Sequence, residues 1–330
     1  MKKILITGGA GFIGSHLTRH LLSTTDARIV LTDNLQRGRM DADLTALLAD
    51  PRVTFIQHDL TDPKNFESLD TDFDHVYHLA AVNGTKWFYS MPQEVLRINI
   101  LSLIYILEWI RRLDRKPKFL FTSSNEAYAS ALEAFGQLPI PTPENVPLVI
   151  SDPYNPRWTY ASTKLIGEQF VIHYAAQYEF PAVIVRPHNF YGPRAGYDHV
   201  IPEFCQRISA RTEPFAIFGA DETRTFCYIT DAVKAMRMLM DSTATDAQPV
   251  ETVHIGASDE ITMKELAERM FEITGWHPSS VEIKPSPAGS VKRRLADISK
   301  IERLVGWKPE TLLTDGLRQT YDWYLANPKM

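Results

Sequence analysis

Cysteine is nearly missing from this chain: Cys205 and Cys227 are the only two in 330 residues. Two thiols supply neither a disulfide framework nor a zinc site, and they fit a reducing cytoplasm. A positive block is missing too. Thirty-five lysines and arginines stand against forty aspartates and glutamates, a formal net charge of −5. With no run of bases, nucleic acid and anionic membrane surfaces have no electrostatic footprint. The longest hydrophobic run, residues 98–107, is bracketed by Arg97 and Glu108. That is half a bilayer span, so it reads as a buried helix. The opening MKKILITGGAGFIG begins with two lysines, but glycine breaks its apolar stretch too early for a secretory signal. What remains is an intracellular, globular composition, 44% hydrophobic and 23% charged, long enough for one large domain or two.

The first half alternates short β-branched runs with helical segments. Residues 3–7 (KILIT), 28–32 (RIVLT), 53–57 (VTFIQ), 76–79 (VYHL) and 119–122 (FLFT) are near-continuous apolar runs, as expected of strands covered on both faces. Segments 12–23, 41–49, 63–69 and 93–113 between them read as helices. A helix over 161–178 and strands over 182–186 and 252–255 come next. This alternation predicts an α/β fold, a Rossmann-type doubly wound parallel sheet. Beyond Pro187 prolines and glycines cluster (RPHNFYGPRAGY, KPSPAGS), and helices over 200–210, 262–274 and 314–326 have longer connections. The expected division is a dinucleotide-binding domain over 1–186 and a smaller C-terminal mixed α/β lobe over 187–330, with some late segments free to rejoin the first sheet.

The strongest local signal is Thr7-Gly8-Gly9-Ala10-Gly11-Phe12-Ile13-Gly14, between the first strand and first helix. Glycines at 8, 11 and 14 permit a tight turn, close approach of a pyrophosphate and close helix–sheet packing, and the helix N-terminus offers donors to phosphate. Asp33, some twenty residues on at the end of the second strand, suits an adenosine ribose and repels a 2′-phosphate, which favours NAD over NADP. Arg37 and Arg39 just behind it read as a solvated loop. Tyr160 and Lys164, four apart on one helix, share a face. An ammonium beside a phenol lowers the phenol pKa, so that Tyr160 takes an alcohol proton while nicotinamide takes the hydride. Thr122-Ser123-Ser124-Asn125-Glu126 lies at the C-terminal end of the fifth strand, the edge that faces the ligand crevice.

With these elements the chain resembles the extended short-chain dehydrogenases/reductases of the nucleotide-sugar epimerase/dehydratase family, nearly end to end. The likeness is carried by TGGAGFIG, Asp33-Asn34, His58-Asp59-Leu60, His78-Leu79-Ala80-Ala81, Asn99, the Ser-Ser strand end and Tyr160-x-x-x-Lys164. It continues through Arg186-Pro187-x-Asn189-x-Tyr191-Gly192-Pro193-Arg194, Arg224-Thr225-Phe226-Cys227-Tyr228-Ile229-Thr230-Asp231, Ala296-Asp297-Ile298-Ser299-Lys300 and Gly306-Trp307-Lys308-Pro309. The resemblance implies that NAD is held by Gly8, Gly11, Phe12, Ile13, Gly14, Asp33, Asn34, Asp59, Leu60, Ala80, Ala81, Asn99, Tyr160 and Lys164. It implies catalytic roles for Ser124, Glu126, Tyr160 and Lys164, and contacts from Asn189, Arg224 and Arg293 to a nucleotide-diphosphate sugar. A surface salt bridge is the competing reading for both arginines.

Members of this family oxidise the sugar C4 hydroxyl to a ketone and then diverge in the fate of that ketone. Glu126 is the informative residue. Plain C4-epimerases usually lack an acid there, 4,6-dehydratases use one as base for the C5 proton, and uronic-acid decarboxylases also have it. Dehydration at C5/C6 therefore ranks first, then decarboxylation, then C4 epimerisation, with a non-enzymatic NAD-binding scaffold or regulator and a conventional alcohol dehydrogenase behind them. Two departures bear on this order. Many dehydratases place an aspartic acid where Asn125 stands, and Asn155-Pro156-Arg157-Trp158-x-Tyr160 resembles the approach to the tyrosine in aminoarabinose-pathway decarboxylases. The usual Val-Tyr-Gly after the Glu is Ala127-Tyr128-Ala129 here, and Lys86 and Trp87 after the fourth strand read as loop residues that could meet the sugar. The helix over 93–113 is apolar nearly all round, which together with the family's habit of pairing this helix predicts a homodimer.

Overall fold

A computed structural model describes residues 1–286 and 291–328. Seven parallel strands form the central sheet: β1 (Lys3–Thr7), β2 (Arg28–Asp33), β3 (Val53–Gln57), β4 (His75–His78), β5 (Lys118–Thr122), β6 (Ala182–Pro187) and a last strand, Val250–Ile255. Their spatial order is β3-β2-β1-β4-β5-β6 and then Val250–Ile255. The order reverses between β1 and β4, and ligands of such sheets bind at the strand ends beside that point. Side chains alternate along β1: Ile4 and Ile6 join one core with Leu17, Leu21 and Met236, whereas Leu5 joins another with Leu103, Ile106 and Phe119. Two helical layers thus cover the sheet, which is why its strands read as continuous apolar runs.

The predicted sheet strands form in place within a residue or two, and so does the helix α1 (Phe12–Thr24), with α2 over Ala42–Leu48. Segment 63–69 is a tighter 3₁₀ helix, Pro63–Ser68. The chain before the long apolar helix is not a loop: α3 (Thr85–Ser90) carries Lys86 and Trp87, and α4 (Pro92–Ile110) starts after Met91. Pro92 starts the second helix because proline suits a first helical position and biases its predecessor away from helix. Next come a short α5 (Ala131–Phe135) and α6 (Thr159–Tyr178), the helix of Tyr160 and Lys164.

After β6 the chain moves between the sheet and a smaller lobe. Helix Ile229–Asp241 packs on the α1 side of the sheet, and Val250–Ile255 pairs with β6 in register. The sequence reading missed this helix, although Ile229, Val233, Met236 and Met240 keep a helical spacing. The lobe holds helices Val200–Ser209, Met263–Thr274 and Leu313–Ala326 and three two-stranded pairs. Two motif segments meet in a structural joint. The Asp231 carboxylate accepts backbone N–H bonds from Glu310 and Thr311 at 3.1 and 2.8 Å, and the Trp307 indole donates to its carbonyl. Among the described residues no helix is long and apolar enough to cross a membrane.

Candidate active site

The turn from β1 to α1 has no room for side chains. Gly8 has φ +69°, and a Cβ there would lie 2.8 Å from the Ala80 nitrogen; at Gly14 it would lie 2.4 Å from the Gly8 carbonyl oxygen. Gly11 begins the helix with no side-chain cap, so the first N–H groups of α1 are left for a ligand. A cavity of about 710 Å³ runs from this turn to Tyr160 and Lys164. Gly8, Gly11, Phe12, Ile13, Gly14, Asp33, Asn34, Asp59, Leu60, Ala80 and Ala81 all line it.

Asp33 ends β2 with its carboxylate accepting from the Ala10 N–H at 3.1 Å and the Leu35 N–H at 2.8 Å. Burial raises its pKa, against the pull of those two bonds. Asn34 donates to Asp59 at 3.4 Å, and Thr61 donates to the other Asp59 oxygen. This chain of carboxylate, amide and carboxylate fits the hydroxyls and amino group of an adenosine, and the glycine cradle fits a pyrophosphate. Asn99 has a different position. It does not line the cavity; from α4 it accepts from the Val82 N–H at 2.7 Å and donates to the Val82 carbonyl and the Thr163 hydroxyl, bracing the chain after β4 against α6. Arg37 and Arg39 both line the cavity instead of pointing away, and Arg39 lies 5.9 Å from the Tyr197 ring.

At the far end, Tyr160 is buried and stacks on Phe88 of α3 with ring centres 5.4 Å apart. Burial raises the Tyr160 phenol, the Glu126 charge adds to this, and the Ser124 hydroxyl and Arg37 work against it. The expectation that Lys164 does this lowering needs amending. Its Nζ donates to the Thr122 carbonyl at 2.7 Å and lies 5.4 Å from the centre of the Tyr160 ring. Burial takes Lys164 itself down to about 7. Tyr160 and Lys164 share a face of α6, as their spacing predicted, and Ser124 at the end of β5 hydrogen-bonds Tyr160.

Glu126 occupies the first turn after β5, between two arginines the sequence reading did not rank. Its carboxylate pairs with Arg157 at 2.8 Å and Arg294 at 2.5 Å. The three side chains are only 13–15% exposed, so little solvent screens them. Burial favours the neutral acid, but Arg294 and Arg157 outweigh it and hold the carboxyl at about 2. Arg224 stands near this cluster, where it pairs with Glu222 at 2.9 Å and feels the Arg294 charge. Arg293 turns elsewhere: it makes two bonds to Glu260, at 2.8 and 2.9 Å, with its side chain half exposed. Asn189, at φ +43°, donates to the Thr225 carbonyl at 2.8 Å.

Comparison with known proteins places this arrangement. A family model described as GDP-mannose 4,6 dehydratase matches residues 5–320. UDP-glucuronic acid decarboxylase 5 of Arabidopsis thaliana is 31% identical over 320 residues, 96% of this chain and 87% of the plant protein. A variant of UDP-glucuronic acid 4-epimerase from Bacillus cereus, in complex with UDP-4-deoxy-4-fluoro-glucuronic acid and NAD, superposes with a TM-score of 0.84 at 28% identity, covering 98% of this chain and 99% of that one. DesIV, a dTDP-glucose 4,6-dehydratase from Streptomyces venezuelae with NAD bound, gives 0.85 at 26% identity, covering 98% and 97%. This chain therefore belongs to the GDP-mannose 4,6-dehydratase family of NAD-dependent, extended short-chain dehydrogenase/reductase nucleotide-sugar enzymes.

Proposed function

We propose that this enzyme oxidises C4 of a nucleoside-diphosphate uronic acid and then releases the C6 carboxylate as carbon dioxide. The observation that carries this reading is the Arg157–Glu126–Arg294 cluster. Two guanidinium groups face one carboxylate, leaving one net positive charge in a poorly solvated site, the complement of one substrate carboxylate. The same cluster weakens the dehydratase reading that the sequence ranked first. A carboxyl held near 2 is a poor base for a C5 proton, and Asn125 has no acidic proton for a departing C6 hydroxyl.

NAD, held along the glycine cradle and Asp33, supplies the hydride acceptor. Tyr160 takes the C4 hydroxyl proton, with Ser124 hydrogen-bonded to the same oxygen. A C4 ketone makes the uronate a β-keto acid. When the C5–C6 bond breaks, its electron pair passes to the C4 oxygen, where Tyr160 and Ser124 stand as donors, and the enolate then takes a proton at C5 from water in place of the lost carboxylate. No base is required, only orientation of the carboxylate, and that is a task for arginines. Asn189 and Arg224 are proposed to meet the diphosphate. Arg293 keeps that role only if it leaves Glu260.

A homodimer built on α4 and α6 belongs to the same proposal. Leu96 and Ile166 are exposed on those helices, at 40% and 42%. The deciding experiment is mass spectrometry of the protein incubated with NAD and a panel of UDP-, GDP-, CDP- and dTDP-sugars including uronic acids. Loss of carbon dioxide from a uronate is the expected result, alone where the hydride returns from NADH to C4 and with two further hydrogens missing where it stays on NADH. Loss of one water from a neutral hexose would restore dehydration, and an unchanged mass with a new chromatographic position would mean epimerisation.

A further inference from the structure

Behind the reacting groups lies a buried polar cluster that the proposed chemistry does not use. Glu168 is on α6, one turn beyond Lys164, and is 2% exposed. It accepts from the Ser123 hydroxyl at 2.5 Å and from Arg186 through Nε at 2.8 Å and Nη2 at 2.7 Å. Ser123 and Arg186 are 1% and 4% exposed, so this ion pair is out of water's reach. Arg186 is fixed on its other side, donating to the Glu144 carbonyl at 2.8 Å. A buried ion pair is weak evidence for stability, because apolar residues of the same volume do as well or better. Its position here has a chemical consequence. Ser123 stands between Thr122, whose carbonyl holds the Lys164 ammonium, and Ser124, which hydrogen-bonds Tyr160.

We propose that Glu168 is a positioning residue for the C4 oxidation: anchored by Arg186, it fixes through Ser123 the end of β5 that aligns Lys164 and Ser124 with Tyr160, and its charge one helical turn away favours the Lys164 ammonium. The inference rests on the C4-oxidation reading. The groups around Lys164 support the second part. From its own helix it meets Tyr160 and Glu168; from β5, the Phe121 ring at 4.9 Å and the Thr122 carbonyl; from β4, His78, which burial and Lys164 keep neutral. Among the described residues Glu168 is the one anion opposing the burial that lowers Lys164.

Two variants test this. In Glu168→Gln the amide keeps the shape and loses the charge. Lys164 then gives up its proton at lower pH, so the alkaline limb of the rate of bound-NAD reduction, followed at 340 nm, moves down by about one pH unit. The Lys164 signal in NMR spectra of ¹³C-lysine-labelled, NAD-loaded protein moves with it. Ser123→Ala removes one bond and leaves the ion pair. Its reduction rate falls about tenfold, with KM within about twofold and the alkaline limb unmoved. A limb and a Lys164 signal that both stay in place in folded Glu168→Gln would overturn the electrostatic part, and an unchanged rate in Ser123→Ala would overturn the positioning. Should Glu168→Gln not fold, Ser123→Ala decides the positioning, and Glu168→Asp, which draws the charge back from Lys164, decides the electrostatic part by the same downward move of limb and Lys164 signal. If no sugar of the UDP-, GDP-, CDP- and dTDP-panel, uronic acids included, reduces the NAD bound to the unsubstituted enzyme, the C4-oxidation reading fails, while the Lys164 titration still reports on Glu168.

Discussion

A carboxylate's chemistry depends on what stands beside it, and for Glu126 those neighbours come from distant parts of the chain. Arg157 precedes α6 and Arg294 lies 168 residues away. Their pairing makes Glu126 a structural anion as well as a site residue, with a measurable pH signature. Its folded pKa, about 2, is below the ordinary value of 4.5, so its stabilising contribution is complete above about pH 4.5 and is lost as pH falls through 2. Glu126→Gln strands two arginines and destabilises the fold at pH 7 by about 3 kcal/mol. In urea titrations the gap between this variant and the unsubstituted protein narrows from pH 5 to pH 3; a constant gap would mean that the ion pairs supply none of it. Arg293 is the arginine the sequence reading expected at a nucleotide diphosphate, and Arg294, which it did not single out, is the one that reaches Glu126. The segment is extended, with a bridge from Arg293 to Thr223, so adjacent side chains diverge. One meets Glu260 and the other Glu126. Which of two consecutive arginines turns inward is a matter of register, and register depends on the partner strand.

At the scale of elements, the β1–α1 turn was legible because its requirement is local. A backbone that must bend at once and approach a phosphate excludes Cβ atoms, and only glycine lacks one. Gly14→Ala tests this. The methyl would lie 2.4 Å from the Gly8 carbonyl oxygen and 2.8 Å from the Gly9 Cα, contacts that displace α1 from the turn. NAD affinity, titrated by quenching of tryptophan fluorescence, falls at least about tenfold. Unchanged affinity would mean that the turn yields without moving the helix. The α3 helix was not legible. Six residues are too few for a periodic signal, and its glycine start at φ +119° looks like loop chemistry. Packing anchors it, through Phe88 on the Tyr160 ring and the Arg157 guanidinium 5.9 Å from Phe88.

Across the whole molecule, the Arg194 side chain is one strap between the lobe after β6 and the cofactor crevice. Arg194 pairs with Asp41 at 2.7 Å and donates to the carbonyls of Gly11 at 3.2 Å and Arg39 at 3.1 Å. A second tie joins the Trp323 indole to Asp43 at 3.1 Å. Tyr197, Asp198 and His199, a few residues after Arg194, line the crevice together with Asp33 and Asn34. Loss of these charge-assisted bonds in Arg194→Ala speeds NAD release about tenfold, as measured by stopped-flow displacement. Equal release rates would show that the strap does not hold the cofactor in.

The sequence by itself determined the strand–helix alternation, the glycine turn from β1 to α1 and the shared helical face of Tyr160 and Lys164. Each rests on a local rule: burial of both faces of a strand, the space a phosphate needs, or the four-residue spacing of one helical face. Tertiary structure alone decided that Arg157 and Arg294 enclose Glu126, that Asn99 braces the chain after β4, and that Glu168 sits behind Lys164 and Ser123. Those pairings join residues up to 168 positions apart. A charged residue carries no mark in the sequence of which opposite charge will reach it; the folded backbone makes that choice, by bringing the two out of water together.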